Sequence, residues 1–408
     1  MTNSSRPSQK LIPPLTSVPF ESHRRTEAVI DCNAFCKNLA FAKSQAPQAK
    51  IIAVVKADAY GHGIIPMATQ ALRWGVPMLG VATADEALLL RNSEETKHAA
   101  ILLMGPSFSE SAEQLIAENI ELSVGSMGLL QACIQASKKL AVVPKLHLKC
   151  ETGMGRYGFQ PCDLPYVVDL LSAAKISPKA IMTHYAVSDE FELEDHRFTE
   201  SQATILRQSK AQIQKTFPKL LAHACNSGAV LMHADKAFDF QRPGMMLYGA
   251  HPNPAEANLS MLKMLHPVLT LQTQIISTHT HEAGTSISYG RTFTFAEKGK
   301  TAILPIGYGD GFPRTLSNKA DVLIRGKRFP VIGRICMDQT MVDISAQPEL
   351  PIGEPCVLIG RQGAEEIRLE EIAQRANTIP YEITCQIGRR IPRRYINSLA
   401  CINESGGA

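Results

Sequence analysis

Residues 51–63 read IIAVVKADAYGHG, so an apolar run ends on Lys56 and is followed by a glycine-containing segment. Apolar runs of this kind alternate with helix-like stretches from about residue 26 to residue 250. Such alternation is typical of parallel strands joined by crossover helices. The first run lies at 28–30, and eight strand candidates follow it: 51–55, 78–83, 100–104, 121–124, 143–149, 179–184, 220–225 and a segment that ends near Met246 to Tyr248. Eight strands favour a closed (β/α)8, TIM-like barrel over an open doubly wound sheet, although periodicity alone does not show closure.

The sequence pattern changes after about residue 262, where short β-like runs are separated by glycine and proline. Arg325-Gly326-Lys327 lies between two apolar runs and predicts a hairpin turn. One helix is expected near residues 368–377. We therefore predict a disordered polar leader over 1–24, an α/β barrel over 25–261 and a mostly β C-terminal domain over 262–400, with the first strand, near 26–31, as a candidate partner of the β domain.

The composition is that of an ordinary globular protein, with 45% hydrophobic and 20% charged residues among 408. A net charge of +4, evenly spread, argues against a nucleic-acid surface. No apolar run approaches the ~18 residues that a membrane span needs, and the N-terminal segment has no apolar signal core. The ten cysteines are scattered without a Cys-x-x-Cys pair or a zinc motif, so we expect most of the thiols to be reduced, no metal and a cytoplasmic location.

Polar side chains follow the predicted barrel strands at their carboxyl ends. They are Lys56, Lys149, Arg156, His184, Asn226, Ser227, Arg242 and Gly244. In a closed barrel these residues lie on one rim, where barrel enzymes hold their reactive groups. Each also has a structural interpretation. Lys56 could be an edge lysine that reaches solvent, and Ser227 a helix N-cap. His184 could be a buried core histidine, and Arg242 an ion-pair partner.

Taken together, these rim residues predict a binding site for pyridoxal phosphate. Barrels commonly bind phosphate in the loops after the seventh and eighth strands. Ser227 offers a hydroxyl there, and Gly244 lets backbone N–H groups approach an anion closely. A buried lysine lowers its pKa readily, which suits Schiff-base chemistry at Lys56. Arg242 would then be the partner of the pyridine nitrogen.

Nine segments occur in order between about residue 26 and residue 395: AVVKADAYGHG, ETGMGRYGF, THYA, HACNS, QRPGMMLYG, ISYGRTF, IGYGDGFPR, GRICMDQTMVDI and TIPYEITCQIGRRIPR. A lone ISYG would carry little weight, whereas nine ordered segments are specific. Through them the chain resembles the alanine racemase family. The resemblance implies a pyridoxal-phosphate-dependent racemase that interconverts L- and D-alanine and supplies D-alanine for peptidoglycan.

The resemblance also implies a two-base mechanism. The Cα proton would move on the external aldimine that the amino acid forms with the cofactor. Lys56 would bind the cofactor covalently and act as one base, and Tyr289, in ISYG, would be the opposing base. In this family the tyrosine reaches the site of a partner subunit, so a homodimer is expected.

Binding roles follow from the same resemblance. The phosphate would contact Tyr60, Asn226, Ser227, Gly244, Met245 and Tyr381. Arg242 would face the pyridine nitrogen with His184 behind it, and Arg156 would contact the phenolic oxygen side of the cofactor. Arg156 and the backbone of Met337 would contact the substrate carboxylate, and Tyr308, Asp338 and Tyr381 would line the entrance.

Two further positions follow from the matched motifs. Lys149 corresponds to a lysine that is carbamylated in several members of the family. Glu151 replaces the aspartate that usually precedes Thr-Gly-Met-Gly-Arg, which affects a contact behind the site rather than the reaction.

Three other functions stay open at this point. The first is a broad-spectrum or serine-active racemase, against which the GRICMDQ segment and the missing secretory signal argue. The second is a basic-amino-acid decarboxylase with the same two-domain plan. Such enzymes use a carboxylate where this chain has Arg242, and an arginine should leave the pyridine nitrogen unprotonated. The third is a single-barrel carrier of pyridoxal phosphate, which would need neither the β domain nor Tyr289.

Overall fold

A closed barrel of eight parallel strands forms the first part of the structure. The structure is a computed structural model and describes residues 25–255 and 259–398. The leader predicted for residues 1–24 lies outside the described residues. Strand β1 (Glu27–Asp31) precedes the barrel strands, which are β2 (Lys50–Val54), β3 (Met78–Val81), β4 (Ile101–Leu103), β5 (Glu121–Val124), β6 (Leu146–Lys149), β7 (Ala180–Met182), β8 (Leu221–His223) and β9 (Phe240–Gln241). Pairing of Lys50 with Phe240 and of Ile51 with Gln241 joins β2 to β9 and closes the barrel.

Helices connect the barrel strands. They are α1 (Cys32–Gln45), α2 (Lys56–Tyr60), α3 (Ile64–Trp74), α4 (Ala84–Arg91), α5 (Ala112–Ala117), α6 (Met127–Leu140), α7 (Leu164–Ala173), α8 (Leu193–Gln214) and α9 (Ser227–Met232). Local sequence sets their starts. The Asp31 carboxylate accepts the first free amides of α1, and Thr83 and Glu86 form a capping box on α4. Strands β3 to β7 are buried along their whole length, as expected where helices cover a parallel sheet.

The last barrel strand differs from its prediction. The apolar segment that ends near Met246 to Tyr248 is a 3₁₀ turn, Met245–Tyr248, and the strand is β9, which ends at Gln241. Pro243 has no amide hydrogen to donate to a strand, and the amides of Gly244 and Met246 bond to a serine hydroxyl instead. The segment is apolar because it is completely buried, not because it is extended.

A mostly β domain follows the barrel. Its strands are β10 (Leu269–Gln274), β11 (Ser277–His281), β12 (Ser286–Ile287), β13 (Phe293–Thr294), β14 (Gly299–Leu304), β15 (Asp321–Ile324), β16 (Lys327–Pro330), β17 (Thr340–Asp343), β18 (Pro355–Gln362), β19 (Glu365–Ile367) and β20 (Arg393–Ile396). One sheet has the order β16-β15-β18-β10-β1-β20 with β19 beside β18, a second is β11-β14-β17, and a third is β12-β13. Barrel and β domain together confirm the predicted fold class.

Strand β1 belongs to the sheet of the β domain. It pairs antiparallel with β10 and parallel with β20. The domain boundary that we predict between residues 261 and 262 falls within α10 (Leu259–Met264) and stays a prediction.

The β domain contains one predicted turn, one predicted helix and one helix that was not predicted. Arg325 and Gly326 have φ of 50° and 69° and connect β15 to β16, so the hairpin turn is confirmed. The helix expected near 368–377 is α11 (Leu369–Ala376). A second helix, α12 (Pro380–Cys385), was not predicted. Among the residues that the structure describes, no helix combines the length and apolar character needed to span a bilayer.

Candidate active site

Lys56 begins an unusual turn at the carboxyl end of β2. Residues 57–60 all have φ of 53°, so α2 is a turn of left-handed helix. This conformation costs roughly 1–2 kcal/mol for each L-residue, so surrounding contacts have to hold it. One of them is the Glu86 carboxylate, which accepts the amide of Ala57 at 2.6 Å. The turn fixes the point at which Lys56 leaves the barrel.

The β domain packs against this turn. Gly61 follows it with φ of 80°, and a Cβ there would lie 2.1 Å from the carbonyl oxygen of Thr384 in α12, so glycine is required. Lys56 itself is partly buried. Burial, followed by the charge of Arg156, lowers the pKa of its amine. More of the amine is therefore neutral than in an exposed lysine, as a base requires.

A second group of rim residues forms a corner of hydroxyls and backbone amides. Ser227 Oγ accepts the amide of Gly244 at 2.9 Å and that of Met246 at 3.3 Å. A Cβ on Gly244 would lie 2.4 Å from the phenol oxygen of Tyr60, so glycine lets this hydroxyl reach the corner. Tyr381 packs on Tyr60 at 5.7 Å between ring centroids. Burial raises the pKa of both phenols, so both stay protonated and able to donate to an anion.

Asn226 is the N-cap of α9, so the interpretation of Ser227 as that cap is wrong. The Oδ1 atom of Asn226 accepts the amide of Ala229 at 3.0 Å and the hydroxyl of Ser188 at 2.7 Å. Its Nδ2 donates to the carbonyl of Tyr185 at 3.2 Å. Asn226 thereby holds Ser227 in place, and a direct phosphate contact from its side chain stays a prediction. Met245 is completely buried, which leaves its backbone for any such contact.

Arg242 is buried at the rim. Its guanidinium donates to the carbonyls of Thr183 at 2.7 Å and Ala224 at 2.8 Å, and to His223 Nδ1 at 2.6 Å. His184 Nδ1 lies 3.4 Å from the same group. These partners are neutral, and burial lowers the pKa of Arg242 to about 10. Burial and Arg242 together also lower the pKa of His184, which is neutral at physiological pH.

The loop after β6 carries Arg156 at the exposed edge of the rim. Glu151 organises this loop: Oε1 accepts the amides of Gly153 at 2.7 Å and Gly155 at 3.1 Å, and Oε2 accepts that of Arg156 at 3.3 Å. Burial alone would raise the pKa of Glu151, but these bonds outweigh it and lower the pKa. The residue that departs from the family motif thus shapes the loop that presents Arg156.

Lys149 is buried beneath this loop. Its amine donates to the carbonyl of Cys150 at 3.2 Å and lies 5.5 Å from the centre of the Tyr157 ring. Burial, followed by the charge of Arg242, lowers its pKa to about 8.

The remaining predicted residues form an exposed group on the β domain. In the single chain the side chains of Tyr289, Met337 and Tyr308 are 69%, 54% and 42% exposed. Their segments pack on one another, since Ser288 Oγ donates to the Arg334 carbonyl, and the Gly309 amide donates to the Met337 carbonyl at 2.9 Å. Asp338 pairs with Arg390 at 2.8 Å. The structure thus brings Lys56, Tyr60, Ser227, Arg242, Gly244 and Tyr381 together, and places Tyr289, Tyr308, Met337 and Asp338 in this separate group.

Four polar residues inside the barrel were not predicted: Glu121, His147, Lys179 and His223. They lie in or beside strands that read as apolar runs, ELSV, KLHLK, KAIMTH and LAHAC. The available signal was a charged or imidazole side chain at a buried strand position, which is costly unless it has a partner. Within 25–255 and 259–398, His, Cys, Asp and Glu side chains form no group of three or more that could hold a metal ion.

The barrel, the β domain and the rim lysine define the two-domain type shared by amino-acid racemases and decarboxylases. Comparison with known proteins separates these possibilities. The model of the alanine racemase N-terminal domain matches residues 30–252, and that of the C-terminal domain matches residues 268–395. The chain belongs to the alanine racemase family.

Individual relatives agree along nearly the whole chain. The alanine racemase of Halothermothrix orenii is 39% identical over 86% of this chain and 91% of that protein. The structure of alanine racemase from Streptomyces coelicolor covers 92% of this chain and 99% of its own, with 34% identity and a TM-score of 0.86. The structure of alanine racemase from Bartonella henselae with covalently bound pyridoxal phosphate is 27% identical, has a TM-score of 0.80 and covers 91% of this chain and 99% of its own.

Replacing Glu151 by alanine is expected to loosen the Arg156 loop without unfolding the barrel. Hydrogen exchange of the Gly153 and Gly155 amides should accelerate about tenfold or more, since a hydrogen bond to a charged group contributes about 1.5–3 kcal/mol. Glu151→Gln is the control, because its remaining oxygen can still accept both amides. Unchanged exchange in Glu151→Ala would contradict the role of this carboxylate.

Proposed function

We propose that this chain interconverts L- and D-alanine by moving the Cα proton between two bases, Lys56 and Tyr289 of a partner subunit. The reaction itself, alanine racemisation by a pyridoxal-phosphate-dependent isomerase, is that of the family to which the chain belongs. The observation that carries the residue assignment is the position of Lys56, partly buried at the rim with a lowered pKa.

The rim residues fit the cofactor. Its phosphate would bind at the corner of Ser227, Gly244, Tyr60 and Tyr381, where protonated hydroxyls converge. Its ring nitrogen would face Arg242. Arginine donates hydrogen bonds and accepts none, so it leaves that nitrogen as the acceptor. When bound, pyridoxal phosphate supplies the electron sink that allows the Cα proton of an amino acid to leave.

The protein residues have two kinds of role in the proposed reaction: binding the substrate carboxylate and moving the Cα proton. Arg156 binds the substrate carboxylate, and the Met337 backbone of the partner subunit contacts the same group. Lys56 holds or returns the proton on one face of Cα, and Tyr289 of the partner subunit does so on the other. Two bases on opposite faces avoid moving one base across the substrate plane. The lowered pKa of Lys56 suits this exchange. An ordinary lysine, with a pKa of about 10.4, would be almost entirely protonated at neutral pH and could not accept the proton.

The proposal includes a head-to-tail homodimer, in which the second base comes from the partner subunit. Tyr289, Tyr308 and Met337 are exposed in one chain, as residues that complete a neighbour's site would be. Tyr308 and Asp338 would then line the entrance of the partner's site, together with Tyr381 of the chain that holds the cofactor.

We place the reaction in the cytoplasm as a source of D-alanine for peptidoglycan, with no nucleic-acid or membrane partner. The mild net charge of +4 argues against a nucleic-acid partner. Eight of the nine described cysteines are free thiols, which supports a reducing compartment, whereas Cys36 is disulfide-bonded. Serine is the competing substrate to test, since it differs from alanine by one hydroxyl.

Purified protein with pyridoxal phosphate should racemise L-alanine and D-alanine, and should act less on L-serine and L-lysine, when products are separated by chiral chromatography.

Tyr289→Phe should lose most turnover while its cofactor absorbance remains, since the phenol takes part in proton transfer and not in cofactor binding. Equal turnover in Tyr289→Phe would contradict its role as a base. Bound cofactor without turnover in the wild type would favour a carrier, and release of carbon dioxide from lysine would favour a decarboxylase.

Mixing the inactive variants Lys56→Ala and Tyr289→Phe should restore activity. Half of the dimers in an equal mixture are mixed, and each has one complete site out of two, so about one quarter of wild-type activity is expected. Each variant alone is the control. No recovery after subunit exchange, verified by native mass spectrometry, would show that Tyr289 does not serve a partner's site.

We further propose that Lys149 is carbamylated. A carbamate forms when a neutral amine attacks dissolved carbon dioxide and releases a proton to water. A pKa of about 8 makes the neutral amine of Lys149 abundant at physiological pH. The resulting anion would lie near Arg242 and Arg156, whose charges act on Lys149.

Carbamylation of Lys149 should increase as the pH rises through about 8 and fall below it, because the lowered pKa leaves the neutral amine dominant only above that value. Carbon-13 NMR with labelled bicarbonate measures the carbamate. Lys149→Arg should abolish the signal, and Lys139→Arg, at an exposed lysine, should retain it. A signal that persists in Lys149→Arg would exclude this site.

A further inference from the structure

A continuous line of polar side chains crosses the barrel interior from Arg242 to Lys179. Arg242 Nη1 lies 2.6 Å from His223 Nδ1, and His223 Nε2 lies 2.8 Å from His147 Nδ1. His147 Nε2 lies 2.9 Å from Glu121, whose two carboxylate oxygens accept from Lys179 at 2.6 Å and 2.8 Å. The first four residues are buried, and Lys179 is partly exposed.

The line runs from one end of the barrel to the other. Arg242 follows β9, so it stands at the carboxyl end, where the candidate active site lies. Glu121 begins β5 and Lys179 immediately precedes β7, so both stand at the amino end. Barrel interiors are usually filled with branched apolar side chains. Buried ions and imidazoles cost free energy that apolar residues would not, so packing alone gives no reason for this line.

The chemistry of the end residues sets the direction of every hydrogen bond. Arginine has no acceptor, so His223 Nδ1 must accept and His223 Nε2 must carry the hydrogen. His147 Nδ1 therefore accepts, and its Nε2 donates to the Glu121 carboxylate. Burial lowers the pKa of both histidines, which keeps them neutral. Burial would raise the pKa of Glu121, but the bonds from His147 and Lys179 outweigh it and keep the carboxylate ionised.

We propose that Glu121 is a positioning residue for racemisation, which acts through His147 and His223 on the guanidinium of Arg242. Its carboxylate accepts from His147 Nε2 and so stabilises, from the other end of the line, the tautomers in which His223 presents an acceptor to Arg242. The carbonyls of Thr183 and Ala224 hold Nη2, whereas His223 holds Nη1. Without this acceptor the guanidinium can turn about its Nη2 contacts, and its orientation toward the ring nitrogen is lost. This inference rests on the proposed role of Arg242.

The test removes the carboxylate without leaving Lys179 unpaired. Lys179→Met keeps Glu121 and serves as the matched control. The double variant Glu121→Met/Lys179→Met, called the methionine pair below, removes the acceptor of His147. Glu121→Gln/Lys179→Met returns an oxygen acceptor without a charge. Thermal melting of all three variants establishes that the barrel is folded, and the glutamine variant keeps the test decisive if the methionine pair is unstable.

Two measurements on the holoenzyme are compared. Nitrogen-15 spectra of histidine-labelled protein report which ring nitrogen of His223 and His147 carries the hydrogen. We expect the hydrogen on Nε2 of both residues in wild type, Lys179→Met and the glutamine variant, and a mixed population in the methionine pair. In that variant kcat should fall about 10- to 100-fold with a small change in KM, because Arg242 is misplaced rather than removed.

The outcomes separate this inference from the proposed function. Identical tautomers in the methionine pair and in Lys179→Met would overturn the role of Glu121, as would a loss of kcat without a change of tautomer. If wild type itself fails to racemise alanine while the tautomers change as expected, the proposed function fails and the line from Glu121 to Arg242 stands.

Discussion

Closure of the barrel between β2 and β9 is the constraint on which the candidate site depends. These are the first and last barrel strands, and their pairing brings Lys56 and Arg242 to the same part of the rim. The connection continues past the paired residues, because the amide of Val54 donates to the Pro243 carbonyl at 3.2 Å and the Tyr248 hydroxyl donates to the Val54 carbonyl at 3.0 Å. An open sheet with the same strands would leave the amine and the guanidinium on opposite edges.

The closed rim concentrates positive charge. Lys56, Lys149, Arg156 and Arg242 act on one another, and each lysine has a pKa below its usual value partly for this reason. The nearby phenols are held protonated by burial. A site of cations and hydroxyl donors is destabilised by its own repulsion, and an anionic ligand relieves that repulsion. The proposed preference for a phosphate and a carboxylate is therefore supported by the charges as well as by the shape of the corner.

Sequence alone predicted the elements that depend on local patterns. Lys56 is predicted at a strand end because IIAVV is an unbroken apolar run. The β15–β16 turn is predictable because Arg325-Gly326-Lys327 separates two apolar runs, and Gly326 readily adopts the positive φ that such a turn needs. The last strand was placed too late because burial, not strand geometry, makes residues 245–248 apolar. Asn226 and Ser227 are adjacent, and only the contacts show which one caps α9. The line through Glu121 joins three strands, so no local pattern reveals it.

Strand β1 has a consequence for how the chain assembles. It lies between β10 and β20, both of which leave the ribosome after the whole barrel, and β20 lies close to the end of the described chain. The barrel strands are synthesised in the interval between β1 and its two partners, and they can close on one another without it. During translation both edges of β1 therefore stay unpaired until its partners β10 and β20 have been synthesised. Strands with unpaired edges associate readily with other chains. Completion of the C-terminal sheet is therefore a late step that joins strands far apart in sequence, and such pairing is intrinsically slow.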